Sequence, residues 1–66
     1  MQLVVNGQPR ELPNVQTVAD VVRALGLDRA PCAVEVNRTL VPKSRHAEAT
    51  LQPGDTLEVV TLVGGG

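Results

Sequence analysis

The 66 residues contain no phenylalanine, tyrosine or tryptophan, and only one cysteine and one lysine. Without aromatic rings there is no platform on which unpaired bases could stack, and any core has to be built from Val, Leu and Ala. A single cysteine, Cys32, excludes an intrachain disulfide and a cysteine-rich metal site. His46 has no second His or Cys close to it in sequence, so no metal is expected either. Six Lys plus Arg stand against seven Asp plus Glu, a net charge of −1 with no basic run. Binding a phosphate backbone requires concentrated positive charge, so nucleic acid is not an expected partner. The apolar run Leu3-Val4-Val5 is too short for a signal peptide, and no stretch approaches the ~20 apolar residues of a membrane span. The expected location is a reducing cytoplasm. Both common nucleotide-binding patterns, Gly-x-x-x-x-Gly-Lys and Gly-x-Gly-x-x-Gly, are missing, so no bound cofactor is expected.

The composition that remains, 42% hydrophobic and 20% charged, is that of a globular chain. A domain of this length buries only about 60% of the surface its unfolded chain exposes. That is too little scaffold for a large cleft, and a carrier, modifier or adaptor is expected rather than an enzyme.

The hydrophobic pattern predicts an α+β domain with a mixed sheet of four to five strands packed on one main helix. Gln2–Asn6 reads as a strand closed by Asn6-Gly7, a pair that tolerates positive φ at both turn positions and so predicts a hairpin. Gln8–Leu12 returns as an edge strand, because Pro9 cannot donate to a ladder. Thr17–Leu25 is the helix: Val18, Val21, Val22 and Leu25 form one apolar stripe. Thr17 is its N-cap, Asp20 completes an approximate capping box, and Gly26 supplies the left-handed residue that ends it. Further strands are expected at Cys32–Val36, Thr39–Val41 and Thr56–Val63. The segment Lys43–Ala49 is polar, irregular or briefly helical, and Gln52-Pro53-Gly54-Asp55 is a turn. The Val-rich first and last strands are expected to pair at the sheet centre.

The last strand leads to the candidate site. If Leu57, Val59 and Thr61 pack under the helix, Val60 and Leu62 stand on the open face, where a half-covered sheet should be polar. With Val63 they form a candidate docking patch for a partner. Beyond them come Gly64, Gly65 and Gly66. Three residues reach roughly 10 Å when extended, and glycine passes through channels too narrow for a Cβ. The expected division is a body, 1–63, and a flexible glycine tail, 64–66. An α-carboxyl group ionises near pKa 3.3–3.7, so at neutral pH it is inert until activated, most simply as an acyl-adenylate made by a partner with ATP. A sulfur nucleophile would convert that adenylate to a thiocarboxylate, and an amine would convert it to an amide.

Val34-Glu35-Val36-Asn37, Val41-Pro42, Leu51-Gln52-Pro53-Gly54-Asp55, Glu58-Val59-Val60 and the ending Val63-Gly64-Gly65-Gly66 together resemble the sulfur carriers of thiamine biosynthesis, the ThiS family. The element order resembles that family's ubiquitin-like β-grasp fold. The resemblance implies a reactive carboxylate or thiocarboxylate on Gly66, with Gly64 and Gly65 recognised in the enzymes' channels. It implies as partners an adenylating enzyme related to ubiquitin-activating enzymes, which uses the ATP, together with thiazole synthase and a sulfur donor protein. A carrier for molybdopterin synthesis and a ubiquitin-like modifier share the Gly-Gly ending. Family members often carry aromatics before the final Val and near position 46, where this chain has Leu62 and His46. Among the remaining residues, Cys32 is expected to be a buried inert thiol, His46 a surface loop residue and Asp55 a turn acid. The arginines and Lys43 are expected in solvent, where some steer the carrier to an acidic partner.

Overall fold

The computed structural model describes residues 1–62. The expectations for Val63 and for the Gly64–Gly66 tail, including its flexibility and the body–tail boundary, lie outside the described residues.

Strand β1 (Gln2–Val5) turns through Asn6 and Gly7, with φ of 52° and 80°, into antiparallel β2 (Gln8–Glu11). Positive φ at both positions gives the turn a twist that matches its strands. All four residues of β2 are exposed, and the chain re-enters the core only at Leu12. Helix α1 (Val18–Ala24) follows, then β3 (Cys32–Val36), β4 (Thr39–Val41), a 3-10 turn at Lys43–Arg45, and β5 (Thr56–Thr61). The turn between β3 and β4 again has two positive φ values, Asn37 at 49° and Arg38 at 70°. The five strands lie in the order β2-β1-β5-β3-β4, with β1 and β5 parallel and the other pairs antiparallel. The first and last strands therefore meet at the sheet centre, as the valine pattern predicts.

One face of this sheet is covered. Leu3, Val5, Val34, Leu57 and Val59 share a single buried cluster with Val18, Val21 and Val22 of α1. Cys32 belongs to it, as expected of an inert thiol. Leu25, the last residue of the predicted helix stripe, is only partly buried, because the helix has already ended at its C-cap there.

Both helix ends are closed by bonds that the short helix needs, since seven residues do not hold alone. Asp20 N–H donates to Thr17 Oγ1 at 3.3 Å, and the Asp20 carboxylate accepts from Thr17 N–H at 3.1 Å and Gln16 N–H at 2.9 Å. At the other end Gly26, φ 76°, allows Leu27 N–H to reach Val22 O and its own N–H to reach Arg23 O, both at 2.9 Å.

The backbone N–H groups of Gln16 and Thr17, foremost, hold the Asp20 carboxyl below its ordinary pKa. A depressed folded-state pKa contributes stability above the unfolded value, and that contribution is lost as pH falls through the folded one. Asp20→Asn is therefore expected to be less stable than the wild type at neutral pH, with the gap closing as urea midpoints are measured at pH values falling below about 4. A gap independent of pH would show that the charge does not matter.

His46 corrects an expectation. It is buried, not a surface loop residue. Residues 46–50 fold back over the first turn of α1, where Ala19 N–H donates to His46 O at 2.9 Å and Val18 N–H donates to Ala49 O at 3.0 Å. The segment thereby satisfies two of the N-terminal donors that no helix can satisfy internally. The imidazole Nε2 lies 3.1 Å from Val41 O; a carbonyl only accepts, so Nε2 carries the proton.

Candidate functional site

The site is the C-terminal end of β5, and its placement begins with an asparagine. Parallel pairing with β1 runs through Val4–Thr56 and Val5–Leu57, and Asn6 N–H still reaches Leu57 O at 2.9 Å. There β1 turns away. The Asn6 side chain then takes over: its Oδ1 accepts from Val59 N–H at 2.8 Å and its Nδ2 donates to Val59 O at 3.1 Å. A primary amide presents the same donor and acceptor as a peptide group, so it substitutes for one further residue of β1.

On its other side β5 is paired with β3 throughout, from Val36–Leu57 to Cys32–Thr61, and Leu62 N–H donates to Pro31 O at 2.8 Å. The strand is thus held by β3 as far as Leu62, the last described residue. At its opening end, Asn37 links the β3–β4 turn to β5: its Oδ1 accepts from Thr56 N–H and its Nδ2 donates to the Asp55 carboxylate. Asp55 also accepts from Gln52 N–H at 2.8 Å, the role of a turn acid.

The two described members of the predicted docking patch are where alternation puts them. Val60 is 55% exposed and Leu62 52% exposed, on the face opposite the helix. Val63 and the three glycines lie outside the described residues. A third exposed apolar residue, Leu40 on β4, is 60% exposed and stands opposite Glu35 on this same open face. Its sequence signal was weak, because a three-residue strand gives too few alternations to fix a face.

Among the described residues no three His, Cys, Asp or Glu side chains come together as a metal site, and no helix is long and apolar enough to cross a membrane. Arg23 pairs with Asp20 at 3.2 Å. The described part of this region offers presentation rather than catalysis: a strand end held by β3 and flanked by exposed apolar side chains.

Known proteins resemble this chain in sequence and in fold. The sulfur carrier protein ThiS of Escherichia coli is 29% identical, with both chains covered in full. A crystal structure of the thiamine biosynthesis protein ThiS from Geobacter metallireducens superposes with a TM-score of 0.81 at 29% identity, again over all of both chains. A thiazole synthase of Paramagnetospirillum magneticum is 42% identical over the whole of this chain, which spans only 20% of that protein's length. The Geobacter protein shares the ubiquitin-like β-grasp architecture of this chain, and the family model of the ThiS family matches residues 3–66. This chain belongs to the ThiS family.

Proposed function

We propose that the chain is a sulfur carrier of thiamine biosynthesis and that the group it carries sulfur on is the α-carboxylate of Gly66. The observation that carries this reading is the strand β5, fixed on the β1 side as far as Val59 and on the β3 side as far as Leu62, with Val63-Gly64-Gly65-Gly66 next in sequence. Family membership supplies the pathway. The body holds the strand end still; glycines without Cβ atoms let the last residues enter a narrow channel in a partner.

The carboxylate is activated by a partner of the ubiquitin-activating type. An oxygen of Gly66 attacks the α-phosphorus of ATP, pyrophosphate leaves, and the acyl-adenylate forms. Hydrosulfide released from a donor protein then adds to the acyl carbon and AMP leaves, giving the thiocarboxylate. Thiazole synthase accepts that sulfur. The carrier itself contributes no acid, base or metal; it is the co-substrate. A reducing cytoplasm suits a thiocarboxylate, which oxidation would destroy.

The test is the intact mass after incubation with the adenylating enzyme, ATP and a sulfur donor. The expected result is a shift equal to one oxygen replaced by sulfur, absent when Gly66 is deleted. An unchanged mass beside an enzyme that is active on another carrier would overturn the assignment.

A further inference from the structure

We infer that the open face of the sheet docks on a surface of thiazole synthase that presents a cation, best an arginine, among apolar side chains, and that Glu35 and Glu58 receive it. The inference rests on the carrier reading and names how the body, as distinct from the tail, is recognised.

Glu35 on β3 and Glu58 on β5 are direct cross-strand partners, and both are exposed on the open face. Side chains so placed have Cβ atoms about 5 Å apart, and like charges there destabilise a sheet. Among the described residues two ion pairs form, Met1 ammonium with Glu11 and Arg23 with Asp20, and neither relieves this pair. No base within the strands shares that face, and Arg45 of the 3-10 turn, which lines a groove with Leu40, makes no ion pair with either carboxylate. The one Lys or Arg within a strand is Arg10, which is opposite the buried Leu3 and so belongs to the other face. A chain with a net charge of only −1 has therefore concentrated negative charge on the side of the sheet that the helix leaves bare.

The surroundings of the pair are apolar. Leu40 stands opposite Glu35 on the outer side, and Val60, opposite Ala33, follows Glu58 along β5. With Leu62 these are the three large hydrophobic residues exposed among the described residues. An isolated acidic pair would be ordinary; one flanked by exposed apolar side chains offers an arginine both carboxylate partners for its guanidinium and apolar surface for its stem. Its planar fork can bond both carboxylates. In the Paramagnetospirillum thiazole synthase a segment similar to this entire chain is part of the same polypeptide, which pairs a body of this kind with that enzyme.

The experiment compares the wild type with the Glu35→Gln/Glu58→Gln double variant by calorimetric titration into a thiazole synthase expressed as a separate polypeptide. The expected loss of affinity is about tenfold at low salt, and the salt dependence of the wild type should flatten in the variant. Relief of repulsion should also leave the free variant's thermal midpoint equal to or above that of the wild type, a change opposite in sign to the binding effect. Affinity within twofold of wild type, or a lowered midpoint that accounts for the loss, overturns the proposal. So does a wild type that fails to bind at all; a thiocarboxylate on Gly66 in the same preparation would then leave the carrier reading standing.

Discussion

Replacing Leu57 with alanine is expected to leave a large fraction of the chain unfolded at room temperature. Leu57 is fully buried on the central strand, opposite Val5 of β1 and Val36 of β3. Truncating a buried leucine costs about 2–5 kcal/mol, through lost transfer energy and the cavity left behind. A chain of this length has roughly 3–10 kcal/mol in total at 0.05–0.15 kcal/mol per residue. The site cannot collapse easily, because its neighbours are strand residues fixed by ladders on both sides. Leu62→Ala is the comparison: half exposed at the strand end, it is expected to change stability by less than about 0.5 kcal/mol. Urea unfolding followed by far-UV circular dichroism measures both, fluorescence being closed to a protein without tyrosine or tryptophan. A loss below about 1 kcal/mol for Leu57→Ala would contradict the central position assigned to β5.

The second large effect is expected at Asn6. Asn6→Ala removes both amide bonds to Val59 and leaves the N–H of a buried residue without its partner. Two bonds at about 1 kcal/mol each, with a further penalty for the orphaned donor, give a cost on the order of 2–4 kcal/mol. Alanine also sits less well than asparagine at φ 52°. Asn6→Gly separates the two causes, since glycine accepts the backbone conformation but offers no amide. Hydrogen exchange at the Val59 amide is the direct reading. It should quicken in both variants, and normal protection of Val59 in Asn6→Gly would show that the side chain does not hold β5.

These residues also mark how far the sequence could be read. Asn6-Gly7 announces a hairpin by local chemistry alone, and the helix stripe of Val18, Val21 and Val22 fixes which face is covered. The exposed positions Val60 and Leu62 follow from period-two alternation once Leu57 and Val59 are assigned to the core. What local patterns could not reveal depends on distant partners. The amide of Asn6 meets Val59, 53 residues away. The burial of His46 depends on the helix N-terminus drawing carbonyls from residues 46 and 49. Glu35 and Glu58 become a pair only when the antiparallel register of β3 and β5 is known. Strand register is set by turns and packing together, so these features emerge at the tertiary level.

The central position of β5 has a consequence for the order of assembly. The two hairpins, β1 with β2 and β3 with β4, are local and can form as soon as each is made. They have no direct ladder with each other, because β5 lies between them. The sheet closes only when residues 56–61, made after both hairpins, slide into that gap. Contacts of such long sequence separation make this the slow step of folding. A nascent chain interrupted before β5 has no closed core and exposes its unfinished sheet to proteolysis. Synthesis itself therefore guards against decoys: a body able to occupy a partner is one in which the strand leading to the glycines has already been made.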